Sequence, residues 1–167
     1  PGSTFVREAF YQDYPDENGN VTPKHVPSKK ADVVHETMTF QFITNQRKQF
    51  INEIADNYVK NDGIVLLEEK ILPATEAEWI ANERKKDAYK LQYFDQAAIT
   101  EKAENVLAGM KTNQTAESDL IQSLESRFAF VAPFWDAGNF KGFIATNSKQ
   151  KFDDFFKKLG GPVTSEY

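Results

Sequence analysis

Hydrophobic residues recur at changing periods along the chain, and each change of period marks an element. Residues 31–67 carry the clearest run, reading ADVVHETMTFQFI, then TNQRKQFINEIADNYVKNDG, then IVLL. The first block predicts a strand from Ala31 to about Thr37. The second predicts a helix starting near Thr44 or Asn45, both good caps. Phe50, Ile51, Ile54, Ala55, Tyr58 and Val59 share one helical face, while Gln46, Arg47, Asn52, Glu53 and Lys60 face water. Asn61-Asp62-Gly63 stops the helix, with Gly63 as a left-handed C-cap. Ile64 to Leu67 then form a short buried strand, its carboxyl end marked by Glu68-Glu69-Lys70. A strand, a helix and a second strand in this order make one parallel unit.

The remaining blocks extend that unit. Thr75 with Glu78 forms a capping box ahead of a helix that turns Trp79, Ile80, Ala88, Tyr89 and Leu91 inward. A second helix covers 95–110, with Ile99, Ala103, Val106, Leu107 and Met110 inward, and a third starts at Thr115 and carries Leu120, Ile121 and Leu124. The charged residues of these helices, Glu83 to Lys86 for example, read as solvated surface. Residues 128–135 and 140–146 are rich in β formers and flank Asp136-Ala137-Gly138-Asn139, so they predict an antiparallel hairpin. A parallel unit followed by such a hairpin gives a mixed sheet. A last helix over 149–159 places Phe152, Phe155, Phe156 and Leu159 on one stripe and ends at Gly160-Gly161-Pro162. Before the core, residues 4–14 allow one short strand, and the Pro-rich stretch 15–30 reads as an exposed connection. The organisation is thus an amino-terminal segment (1–30), an α/β core (31–146) with a helical insert (75–126), and a carboxyl-terminal helix and tail (147–167).

Composition narrows the function classes. A chain of 167 residues is long enough for one domain, and its 40% apolar and 27% charged content is that of a globular protein. The net charge of −5 argues against a surface built for nucleic-acid phosphates. The absence of Cys excludes a disulfide framework, a zinc knuckle and a thiol nucleophile. No signal peptide and no membrane-spanning run is visible, so a cytoplasmic location is expected. The opening Pro1-Gly2-Ser3, with no Met, reads as the scar of a cleaved purification tag, which puts the natural sequence from about Thr4.

The candidate chemistry is sparse. Asp16 to Asn20 has the wrong glycine position for a calcium loop. His25 and His35 lack a second ligand at metal spacing, so no metal site is expected. His35 and Glu36 approach the carboxyl end of the first core strand, the end at which open α/β sheets bind ligands. Glu36 there could accept hydrogen bonds from a ligand ammonium or hydroxyl, or be a solvated loop carboxylate. Glu68 and Glu69 stand at the same level on the next strand. Glu36 with Glu68 or Glu69 reads as a general acid/base pair across adjacent strand ends, or the latter two are strand-end charges paired with Lys70 or Arg84. Phe134, Trp135, Asn139 and Phe140 at the hairpin either line an aromatic pocket or pack the sheet edge. No dinucleotide fingerprint, phosphate loop, nucleophile elbow or zinc-protease motif occurs.

Taken together, ADVVHETMTFQFI, NQRKQFINEIADNYVKNDG, GIVLLEEK and FWDAGNFKGFIA resemble the carboxyl half of a class I S-adenosylmethionine-dependent methyltransferase. More narrowly, they are similar to the carboxy-S-adenosylmethionine-dependent tRNA uridine methyltransferases. The Thr-x-Gln-Phe segment after the fourth strand is matched by Thr39, Gln41 and Phe42, and the Glu-Lys of the fifth strand by Glu69 and Lys70. The resemblance covers residues 31–146 and implies a partial Rossmann-like sheet. It implies that His35, Glu36, Thr37 and Met38 touch the methionyl part of S-adenosylmethionine, and that tRNA is a partner of the complete enzyme. The Gly-rich loop that holds most of the cofactor has no counterpart in the sequence, so the chain alone is expected to be inactive. Ala103 stands where the family has the basic residue that selects the carboxylated cofactor. A second reading is a non-enzymatic domain that kept the sheet and acts through protein contacts. Either way the strand that should neighbour the fourth is missing, so a homo-oligomer through the exposed sheet edge, or a rearranged amino-terminal strand, is expected.

Overall fold

The computed structural model describes residues 27–42 and 46–165, and the backbone alone at 106–108. His25, the amino-terminal strand, the 16–20 loop, and the caps Thr44 and Asn45 lie outside the described residues. The architecture is α/β with a mixed open sheet, as the hydrophobic pattern predicts. Among the described residues six strands form it: β1 (Ala31–Thr37), β2 (Val59–Leu72), β3 (Thr115–Ala116), β4 (Phe130–Ala137), β5 (Phe140–Thr146) and β6 (Val163–Thr164). Their order is β1-β2-β5-β4-β6, with β3 pairing separately with β2. β1 and β2 run parallel, and the β4–β5 hairpin lies antiparallel beside β2 through β5.

The helices are α1 (Arg47–Glu53), which runs on into a wide π turn over Ile54–Tyr58, α2 (Glu76–Lys90), α3 (Gln96–Lys102), α4 (Ala108–Lys111), α5 (Glu117–Glu125) and α6 (Lys149–Leu159). Side chains alternate across β2, so Val65, Leu67, Glu69 and Ile71 share one face and Ile64, Leu66, Glu68 and Lys70 the other. The first face forms the main core with Phe40, Phe50 and Ile51 from the α1 side and Leu120 and Leu124 from α5. Phe40 and Phe50 stack at 4.3 Å. On the second face α6 lays Phe152 and Phe155 against Phe130 and Phe134 of the hairpin, at 5.9 and 5.4 Å. These phenylalanines are half-buried rather than buried. Helices thus cover both faces, as a parallel pair requires.

The structure corrects three readings of the core unit. The helix ends at Tyr58, and Val59 to Leu72 form one strand, so Gly63 caps nothing and Glu68-Glu69-Lys70 lie inside β2. Gly63 is required by close approach: a Cβ there would sit 2.5 Å from Val59 Cγ2 and 3.1 Å from the Asp32 carbonyl. The parallel register shifts at this point, Ala31 opposite Val59 and Val33 opposite Ile64. Arg47 does not face water but is 2% exposed.

The insert departs most from the pattern. Thr75 does cap α2, accepting from the Glu78 N–H at 3.2 Å. Trp79 faces inward as expected, but Asn82, Glu83 and Lys86 join it at helical spacing, while Ile80, Ala88, Tyr89 and Leu91 are exposed. Of Glu83 to Lys86 only Arg84 and Lys85 are solvated. Lys70 on β2 is the cause, because a buried ammonium requires a buried carboxylate, and Glu83 provides it at 2.8 Å. The hairpin turn is shorter than expected, two residues, with Gly138 at φ 68° in the first central position. That is the glycine placement of a type II′ turn.

Candidate functional site

The carboxyl ends of β1 and β2 bring the expected residues to one level and divide them between the two faces. Glu36 and Glu69 project to the main core side, and His35, Thr37 and Glu68 to the other. On the exposed side His35 Nε2 lies 3.2 Å from Glu68 Oε1 and 3.0 Å from Thr37 Oγ1. Both contacts use the same ring nitrogen, so the three residues do not form a proton relay. They present a carboxylate, a hydroxyl and an imidazole toward solvent. This set can bind an ammonium or a hydroxyl group.

Met38 turns the chain away from the strand. Its φ is 58°, and it is the one non-glycine residue with positive φ among the described residues. Left-handed backbone costs an L-residue roughly 1–2 kcal/mol. Three hydrogen bonds hold the turn: the Met38 N–H donates to the Glu68 carbonyl at 2.8 Å, Gln41 Nε2 donates to the Met38 carbonyl at 3.0 Å, and the Thr39 N–H donates to Glu36 Oε1 at 2.5 Å. Such strain persists where surrounding contacts over-determine it, and it concentrates at ligand-binding turns.

Beneath the turn sits a buried ionic cluster that sequence reasoning missed. Arg47 Nε is 3.1 Å from Glu69 Oε1, and Arg47 Nη2 donates to Glu69 Oε2 at 3.1 Å and to the Asn113 carbonyl at 2.8 Å. Asn113 in turn donates to the Gln41 carbonyl at 3.2 Å, which ties the insert to the turn after β1. Burial drives Glu69 up to about 8, opposed by the Arg47 charge and reinforced by the neighbouring Glu36. Glu36 is likewise raised, by burial first, and its Oε2 is buried with no hydrogen-bond partner among the described residues. One guanidinium, bonded to Glu69, therefore lies near two buried carboxyls, and burial pushes both of them toward the protonated form. Glu36 and Glu69 do meet on one face, but under a loop rather than open to a substrate, so the acid/base reading finds no support in their placement. The signal available in the sequence was a Glu amid the apolar run of β2, which demands a buried cation.

A second cluster lies at the end of β2. Glu83 accepts from Lys70, Lys86 and Asn139, the last at 2.9 Å. Burial pushes Glu83 up, but these three partners outweigh it and hold the carboxyl below its usual range. Burial lowers Lys70, whose ammonium lies 5.5 Å from the Trp79 ring and 5.6 Å from the Phe140 ring. The expected pairing of Glu68 or Glu69 with Lys70 or Arg84 is thus replaced by Glu68–His35, Glu69–Arg47 and Glu83–Lys70. Of the hairpin aromatics, Phe134 packs over Gly142, where a Cβ would come within 2.7 Å of its ring, and Trp135 donates to Ser165 at 2.8 Å. These contacts pack them against the sheet and its carboxyl-terminal strand.

No protein-family model and no curated protein matches the chain. The site is therefore read on geometry. Beside Arg47, a cavity of about 530 Å³ is lined by Lys48, Gln114, Thr115, Asp119 and Ser123, a mixture of donors and acceptors with no single chemistry. Among the described residues no group of three His, Cys, Asp or Glu is placed to hold a metal ion, and no helix is long and apolar enough to cross a membrane.

Proposed function

We propose that this chain is the carboxyl-terminal part of a class I S-adenosylmethionine-dependent methyltransferase, inactive by itself. The observation that carries this reading is the topology around β2. A parallel strand–helix–strand unit has a hairpin laid antiparallel beside its second strand, and a strained, hydrogen-bonded turn ends its first strand. A mixed sheet ending in an antiparallel hairpin is what the resemblance implies for a carboxyl half. The residues present fit one end of the cofactor. His35, Thr37 and Glu68 offer polar partners for an amino-acid ammonium, and Met38 sets the turn that frames them. Glu36, turned inward, fixes the turn through Thr39 rather than touching the ligand. The adenosyl end finds no counterpart among the described residues. When bound, the cofactor supplies a methyl group on a sulfonium, and the protein's share of the work is orientation. The finer reading, a tRNA uridine methyltransferase, rests on the sequence resemblance. Titration calorimetry with S-adenosylmethionine and S-adenosylhomocysteine tests the reading. Affinity weaker than micromolar is expected, and micromolar binding would contradict an incomplete site.

A second reading is favoured by the edge of the sheet. Among the described residues β1 has a neighbouring strand on one side only, and Val33 on it is 52% exposed. In the first reading the amino-terminal half of the enzyme covers that edge. In the second, a non-enzymatic domain covers it with another copy of itself. Proline substitution at Asp32 would disrupt self-association through this edge and leave a monomer unaltered in mass.

A further inference from the structure

The connection from α2 to α3 carries an apolar patch of its own. Tyr89, Leu91, Tyr93 and Phe94 are exposed by 42, 49, 66 and 59%, and they lie within six positions of one another. Isolated exposed apolar residues need no explanation, but a contiguous cluster marks an interaction surface. The backbone beneath it is ordered. The N–H groups of Tyr93 and Phe94 both donate to the Lys90 carbonyl at 2.9 Å, and that of Leu91 to the Asp87 carbonyl at 3.0 Å. Asp95 then caps α3 through the Ala98 N–H at 2.8 Å. The Tyr89 and Tyr93 rings meet at 5.6 Å. The patch is thus held in shape before anything binds it, and its tyrosine and phenylalanine content is that of an interface core.

The charges around it choose the partner. Arg84 and Lys85 precede the patch on the exposed side of α2, Lys85 one helical turn before Tyr89. Glu101 and Glu104 follow it, exposed on the helix begun by α3, with the exposed Lys102 between them leaving a net negative run. Among the described residues none of these four makes an ion pair. A basic run before the apolar centre and a net acidic run after it along the chain are self-complementary under a two-fold axis, each basic run meeting the other copy's acidic run. A nucleic acid would be repelled by the acidic side and by the net charge of −5. We propose that this tip of the insert is a homodimer interface, with a second copy of the chain as its occupant. The inference does not depend on the methyltransferase reading.

Light scattering across a micromolar concentration series tests it. The expected mass is twice the 19.0 kDa of one chain. Tyr93→Ser with Phe94→Ser is expected to give a monomer with an unchanged circular dichroism spectrum. The pair Arg84→Glu/Lys85→Glu and the pair Glu101→Lys/Glu104→Lys should each be monomeric alone and dimerise when mixed, since mixing restores both charge contacts. A wild-type monomer would overturn the proposal. So would a dimer indifferent to the tyrosine and phenylalanine changes, or a patch that is occupied by a single-stranded oligonucleotide in preference to its own copy.

Discussion

Replacing Glu69 by Gln should change how stability depends on pH. In the folded protein the Glu69 carboxyl is fully buried and raised from 4.5 to about 8. In the unfolded chain it ionises near 4.5, so between these two values the folded state holds a proton that the unfolded state has released. The stabilisation is therefore fully present below the unfolded value and is lost as pH rises through about 8. At about 1.4 kcal/mol per pKa unit, the loss over this window reaches up to about 5 kcal/mol. Gln cannot ionise, so Glu69→Gln removes this contribution to the slope and leaves that of Glu36 and the other shifted groups. Below the window the variant should be less stable by about 1–3 kcal/mol, because its amide NH₂ would oppose the Arg47 guanidinium and leave donors unsatisfied. Raising the pH should then narrow the gap. Urea unfolding followed by circular dichroism between about pH 5 and pH 9 measures both curves. Parallel curves for wild type and variant would refute the raised Glu69 carboxyl.

Gly63→Ala should destabilise by about 1–3 kcal/mol, because the added methyl meets Val59 Cγ2 and backbone oxygens that have little room to move, and the midpoint of urea unfolding reads this directly. At the second cluster Glu83→Gln should cost more than Lys70→Met. The first leaves two buried ammonium groups facing an amide, on the order of 3–5 kcal/mol, whereas the second leaves Glu83 still paired with Lys86. The reverse order in thermal or urea unfolding would show that Lys70, not Glu83, is the pivot.

Periodicity made the framework legible where burial followed hydrophobicity. The parallel unit, the hairpin and α6 with its left-handed Gly160 all came from apolar spacing and turn chemistry. It failed where polar groups were buried in pairs. Asn61-Asp62-Gly63 has the composition of a helix stop, yet the chain uses it at a register shift inside β2, where glycine is selected by the nearness of Val59 and Asp32. On α2 the pattern put Ile80, Tyr89 and Leu91 inward, but the charges on β2 decided the orientation. Lys70 needed Glu83, and Glu83 brought Lys86 with it. Of the four residues expected at the cofactor, alternation alone separates His35 and Thr37 from Glu36. The strain at Met38 had no signal in the sequence.

Amide shift mapping by NMR during titration with S-adenosylhomocysteine tests the proposed site most directly. Shifts concentrated on His35, Thr37, Met38 and Glu68, saturating only at millimolar ligand, are expected if the carboxyl end of β1 meets the amino-acid end of the cofactor. An undisturbed spectrum at those four residues, or shifts centred elsewhere on the sheet, would contradict the methyltransferase assignment.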